Sequence, residues 1–174
     1  MKAAVLGNGP SRIVYKGRGD YNYVMGCNIP WCEDVDATTI IDAPVIDRWW
    51  KQQDLVKCPV YFGRNAWREC ISKRRLFFKT YFKELIDVLP EHDSSGHNAV
   101  KVVIGLGYKQ IDIYGCDSMF KNTTESFTNS FIVESKKDPT KQINGWKNTW
   151  KSIITKHSDV RFNFIGENDE IISY

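Results

Sequence analysis

Two small polar clusters and three single side chains could do chemistry in this 174-residue chain. The clusters are Gly7-Asn8-Gly9-Pro10-Ser11 and Ser94-Ser95-Gly96, and the side chains are Asn28, His97 and Asp117. Glycines in a turn let backbone N–H groups approach a ligand, and a helix N-terminus just after such a turn favours a phosphate. Asn28 offers both a donor and an acceptor for a base, ribose or sugar hydroxyl. A carboxylate such as Asp117 or Asp42 at a strand end can hold a ribose, a metal or an acceptor hydroxyl. His97 stands beside the Ser-Ser-Gly cap, where the helix dipole favours neutral imidazole, a form able to act as a general base. Each has a plainer reading. The first turn can be a strand-to-helix turn without a ligand, and Asn28 can simply open the turn before Pro30. Asp42 is read as the cap of a helix starting near Pro44, and His97 as a ring bonding its own loop.

The elements that must position these residues are legible in part. Ser94 and Ser95 are N-cap residues. Ala99, Val102, Val103 and Leu106 form the stripe of an amphipathic helix, and Gly107 sits where a left-handed C-cap is wanted. Ile111 and Ile113 alternate with Asp112 in a strand, after which Gly115 turns the chain and Asp117 emerges. Strands are also expected at 2–6, 21–28, 38–41, 59–62 and 160–165, with another starting near Ile171. Helices are expected from Pro44 to Lys51, along Phe78, Phe82, Leu85 and Leu89 up to Pro90, and along Trp146, Trp150, Ile153 and His157. The alternation predicts an α/β, Rossmann-like fold: one domain spanning 1–174, with a mostly parallel sheet flanked by helices. In such sheets ligands bind at the C-terminal strand edge, where both clusters and Asp117 would lie. The stretch 121–142 is polar and aperiodic, and reads as a loop or lid.

Composition narrows the class. The chain is 42% hydrophobic and 26% charged, with a net charge of +3, an ordinary globular profile that suits handling of anions. No apolar run can span a bilayer and the apolar N-terminal stretch is short for a signal peptide, so a cytoplasmic protein with no membrane partner is expected. The five cysteines include no Cys-x-x-Cys pair, so reduced thiols and no metal site are expected. Between Arg64 and Lys83 lie seven basic residues against Glu69, interleaved with Trp67, Phe77 and Tyr81. That pattern could hold a phosphodiester backbone, but a solvated basic face is the commoner outcome, and nucleic acid is not expected as a partner.

Taken in order, Gly7-Asn8-Gly9-Pro10-Ser11, Cys27-Asn28, and Ser94-Ser95-Gly96 followed by Ala99, Gly107, Gly115 and Asp117 resemble the bacterial sialyltransferases of glycosyltransferase family 42. They are also similar to other proteins with that Rossmann-like core, including 6-hydroxymethylpterin diphosphokinase-like proteins. The resemblance implies a nucleotide surrounded by Asn8, Gly9, Asn28, Ser95, Gly96 and Asp117, and Gly7, Ser11 and Ser94 are expected to bind it with them. The ligand class would be a nucleotide or nucleotide sugar of cytidine monophosphate type, with no further cofactor. The family's downstream histidine base is missing: 121–156 contains no histidine. Its lid tyrosines are missing too, and Ser118 and Met119 follow Asp117. His97 and Asp117 are therefore the catalytic candidates left to a transferase. The alternatives are a nucleotide-binding protein without transfer, and an ATP-dependent diphosphokinase whose metal Asp42 and Asp117 would hold. A homo-oligomer is compatible with all three.

Overall fold

Short apolar runs separated by amphipathic stretches fold into one eight-stranded sheet of order β5-β4-β3-β2-β1-β6-β7-β8. The computed structural model describes residues 1–32, 34–71, 74–88, 93–126 and 139–174. The strands are β1 (Lys2–Leu6), β2 (Tyr23–Cys27), β3 (Ala37–Ile40), β4 (Val60–Gly63), β5 (Phe82–Ile86), β6 (Gln110–Tyr114), β7 (Arg161–Ile165) and β8 (Ile171–Ser173). The helices are α1 (Ala43–Lys51), α2 (Arg64–Ile71), α3 (Arg75–Lys79), α4 (Ser95–Gly105) and α5 (Pro139–Lys156), with 3₁₀ turns at Pro10–Val14 and Asp117–Met119. All strand pairs are parallel except β7 with β8. This is the α/β, Rossmann-like architecture expected.

The hand of the crossovers places the helices. Strands β1 to β5 march one way, so right-handed connections put the Pro10–Val14 turn and α1 to α3 on one face; β6 and β7 step the other way and put α4 and α5 on the opposite face. Between α4, α5 and the sheet lie Ala99, Val100, Val103, Ile111, Ile113, Trp150, Phe162 and Phe164. On the other side Trp49 of α1 packs on Phe62, Phe78 and Tyr81. Each fully buried large apolar side chain stabilises by roughly 1.5–3 kcal/mol. Among the described residues no helix covers the first face beyond β1, and there the sheet carries polar groups instead. Asp112 of β6 accepts from Tyr21 Oη at 2.6 Å and Asn163 Nδ2 at 2.7 Å, and faces Lys2 Nζ at 3.2 Å. Burial pushes the Tyr21 hydroxyl far above its usual range, so it stays a donor to this buried carboxylate.

One expected helix is not formed. Phe78 ends up in α3, but Phe82 and Leu85 belong to β5. Phe82, 40% exposed, packs on Trp67 and Phe62, while Val60 N–H donates to Tyr81 C=O at 2.7 Å. A strand here satisfies the open edge of β4, which a helix would leave without partners. Leu89 and Pro90 lie outside the described residues. The helix α2 falls in the basic stretch, for which the sequence predicts no element. Of the loop or lid expected at 121–142, residues 139–142 form the first turn of α5, and 127–138 lie outside the described residues. Among the described residues Cys27, Cys32, Cys58 and Cys116 are free thiols. Burial pushes Cys27 up to about 12 and Cys58 to about 11, so both are protonated at neutral pH.

Candidate functional site

The strand order turns at β1, whose neighbours β2 and β6 lead the chain away in opposite directions. The ends of β1, β2 and β6 therefore bound a crevice of the kind that takes ligands in open α/β sheets. Helix α4 runs from the β5 side back across the sheet and starts at this same edge.

The turn after β1 is sewn to the end of β6. Gly7 N–H donates to Tyr114 C=O at 2.8 Å and Gly9 N–H to Gly115 C=O at 2.9 Å. The two chains approach so closely that a Cβ on Gly7 would lie 2.5 Å from the Gly115 oxygen. Gly115 itself has φ +67, the left-handed region that favours glycine. Ser11, fully buried, completes the seam. Its hydroxyl accepts from Gly115 N–H at 2.9 Å and donates to Asp117 Oδ2 at 3.1 Å, while its N–H donates to the same carboxylate at 3.1–3.2 Å. Asp117 is 4% exposed. Its burial holds the carboxyl above the usual carboxylate range, against the Ser11 donors that favour the charged form. In this geometry Asp117 fastens the two turns to each other.

A second set of bonds joins β2 to α4. Asn28, with φ +58, occupies the left-handed region that asparagine tolerates. Its Oδ1 accepts from Ser95 Oγ at 2.9 Å, its N–H donates to Thr39 C=O at 2.7 Å, and its C=O accepts from Thr38 Oγ1 at 2.8 Å. Thr39 Oγ1 donates to Ser95 C=O at 3.1 Å. Among the described residues no hydrogen bond takes the Asn28 Nδ2, so that amide can still donate to a ligand. Asn8 spans the two sets: its Nδ2 donates to Cys27 C=O at 2.7 Å and its Oδ1 accepts from Arg12 Nη1 at 3.1 Å. Arg12 in turn lies 5.3 Å from the centre of the Trp31 ring. The site roles of Thr38, Thr39 and Trp31 are not legible in the sequence, where 38–41 reads only as a strand. Only the paired threonines in the middle of β3 carry a signal, two hydroxyls where the core pattern calls for apolar residues.

Ser94 is the N-cap of α4, and with His97 it forms a capping box. The His97 N–H donates to Ser94 Oγ at 3.4 Å and the Ser94 N–H donates to His97 Nδ1 at 2.9 Å. That bond fixes the tautomer, so Nε2 carries the proton and donates to Trp146 C=O of α5 at 3.1 Å. The ring is 0% exposed and its centre lies 4.3 Å from that of Trp150. Burial drives its pKa down to about 4, against the raising influence of Asp93. This arrangement fits the reading of His97 as a ring bonded within the fold and leaves it no nitrogen for general-base work. It is neutral, as expected, but both nitrogens are committed to the fold and neither faces a substrate. Gly96 gives α4 room against Cys116, whose Sγ would lie 3.3 Å from an added Cβ.

Further along the same edge a small cleft of about 190 Å³ is lined by Ile41, Asp42, Gly63, Asn65, Val88 and Asp93. This is below the roughly 300 Å³ at which ligand pockets begin. Asp42 does hold the N-cap position of α1, through its carbonyl and without a side-chain cap bond. Asp42 and Asp117 are not brought together. They leave β3 and β6, three strand spacings apart, or roughly 14 Å. Among the described residues no group of three or more His, Cys, Asp or Glu side chains could hold a metal ion. His92 lies outside the described residues.

No family model matches this chain, and no curated protein matches it significantly. Solved structures do. The crystal structure of the sialyltransferase CST-II in complex with a trisaccharide acceptor and CMP superposes with a TM-score of 0.58 at 16% identity, over 94% of this chain and 80% of that one. A point mutant of the alpha-2,3/8-sialyltransferase CstII gives a TM-score of 0.58 at 15% identity, over 94% and 81%. A probable thiamine pyrophosphokinase from Staphylococcus saprophyticus gives 0.43 at 12% identity, over 96% and 66%. The first two show a fold shared with sialyltransferases. No described helix is long and apolar enough to cross a membrane.

Proposed function

We propose that this protein binds a nucleotide, of cytidine monophosphate type and carried as a nucleotide-activated sugar, at the crevice between β1, β2 and β6. The observation that carries the reading is the convergence at one edge of the Gly7–Ser11 turn, the Asn28 amide and the start of α4. The N–H groups of Ser95 and Gly96 belong to the first turn of α4, where the helix supplies no acceptor, and they are suited to a phosphate. Asn28 Nδ2 is suited to a ribose or base oxygen. The fold shared with sialyltransferases supports a transferase-type core.

A specific observation favours binding without transfer as the second reading: among the described residues the histidine at the start of α4, His97, has no free nitrogen. The paired-carboxylate diphosphokinase reading lacks its pair, since Asp42 and Asp117 are held on separate strands.

A thermal-shift screen of nucleotides tests the proposal. A ligand at a hundred times its dissociation constant should stabilise by about 2.7 kcal/mol, a rise of roughly 5–10 °C for a chain of this size. Cytidine monophosphate raising the melting point, with no hydrolysis or transfer from nucleotide sugars, would select the non-catalytic reading; turnover would select the transferase. No shift with any nucleotide would sink both. Asn28→Ala should weaken binding about tenfold, through loss of one well-placed donor. Wild-type affinity in that variant, measured by titration calorimetry, would remove Asn28 from the site.

A further inference from the structure

The bonds at the crevice do not stop at Asn8. Its Oδ1 accepts from Arg12 Nη1 at 3.1 Å, and the Arg12 guanidinium lies over the Trp31 ring, 5.3 Å from the ring centre. Trp31 is 40% exposed, whereas Trp49 and Trp150 are buried in the two cores. Core packing therefore does not explain where this indole stands. Arg12 takes one face of it, and Tyr15 meets its edge with the planes at 83°. Tyr15 is itself pinned, because its hydroxyl donates to Asp34 Oδ2 at 3.0 Å while Arg18 Nη2 donates to Asp34 C=O at 2.7 Å. Among the described residues no other ring packs on Trp31. The loop that carries it is fixed as well. Asn28 C=O accepts from Thr38 Oγ1 at 2.8 Å, and Pro30 lies so close to β2 that a Cβ on Gly26 would be 3.2 Å from Pro30 Cγ.

We propose that Trp31 is the stacking platform for the base of the bound nucleotide, with Arg12 holding the indole from behind. The inference rests on the nucleotide reading and adds to it the residue that grips the base. Position is one argument. Trp31 follows Asn28 by three residues, a span of at most about 10 Å, so the amide suited to a ribose and the indole belong to one short loop. Asn8, in the turn after β1, ties Arg12 to the same sheet edge. Chemistry is the other. Every base has a flat π face, and an exposed aromatic ring takes that face whatever the base. Cation–π attraction keeps the guanidinium on the opposite side of the ring, so the indole is held in place before a ligand arrives and little further ordering is needed on binding. The start of α4 then serves the phosphate and Trp31 the base, two ends of one ligand held by different elements.

Titration calorimetry of the full chain tests it, with cytidine monophosphate and with ribose 5-phosphate, which lacks the base. The wild type should bind cytidine monophosphate about tenfold more tightly than ribose 5-phosphate. Trp31→Ala should weaken cytidine monophosphate by about tenfold and leave ribose 5-phosphate unchanged. Trp31→Phe keeps a ring and should recover most of the loss. Uridine monophosphate should suffer as much as cytidine monophosphate in Trp31→Ala, because stacking does not read the base. Unchanged affinity for cytidine monophosphate in Trp31→Ala would overturn the inference and leave the nucleotide reading standing. So would an equal loss for both ligands, the mark of a residue that only holds the fold. A wild-type chain that binds no nucleotide would remove the nucleotide reading and this inference together.

Discussion

Gly9→Ala is expected to destabilise the protein by about 3–5 kcal/mol, at the upper end of single-substitution effects, and to abolish the proposed nucleotide binding with it. The backbone of Gly9 is not the obstacle, since φ −73 and ψ 166 are extended values open to any residue. The obstacle is space. An added Cβ would lie 2.1 Å from Asp117 Oδ2 and 2.8 Å from the Gly115 oxygen. The carboxylate has no free direction to move, because it accepts both the N–H and the hydroxyl of the fully buried Ser11. Displacing it leaves those donors buried and unpaired, at about 1–3 kcal/mol each. The turn would then separate from β6 and open the crevice. Gly105→Ala is the control. Nothing lies within 4 Å of its added Cβ at the end of α4, so it should be neutral or stabilising by about 0.5–1 kcal/mol. Urea unfolding of the two variants at neutral pH measures both. Near-equal stabilities would show that the seam between the turns does not carry the load assigned to it.

Acid should destabilise the protein through His97. The folded-state pKa of about 4 lies below the unfolded value near 6.5, so the unfolded chain binds the proton more readily. The stabilisation is complete above pH 6.5 and is lost as pH falls towards 4, by about 3 kcal/mol in all. Asp93 and Lys101, paired at 2.7 Å, act on the ring with opposite signs. Asp117 pulls the other way: its raised pKa means that acid favours the folded form as the carboxyl protonates. The lowered carboxyls of Asp34, Asp87 and Asp159 lose their contribution only below pH 3.8. His97→Gln separates these effects. Glutamine at the third helical position can still close the capping box but does not titrate in this range. Its stability should vary little between pH 6.5 and 4, while the wild type falls steeply. A slope that persists in the variant would mean that another buried group is responsible.

The sequence by itself determined the interactions that close within a few residues. Ser94 as a cap, the apolar stripe of α4 and the left-handed Gly107 are contacts of a helix with itself, so local spacing specifies them. The alternation of strand and helix fixed the α/β class, and strand ends carrying Asn28 and Asp117 marked an edge worth attention. It could not assign roles at that edge. His97 reads as a candidate base until Trp146, 49 residues on, takes its second nitrogen. Asp117 reads as a free carboxylate until Ser11, 106 residues away, occupies it. Likewise β5 carries a helical period and becomes a strand because β4 presents an open ladder beside it. A hydrogen-bonding group has few positions to offer. Whether the fold uses them or leaves them for a ligand depends on which distant backbone arrives opposite, and only the tertiary structure decides that.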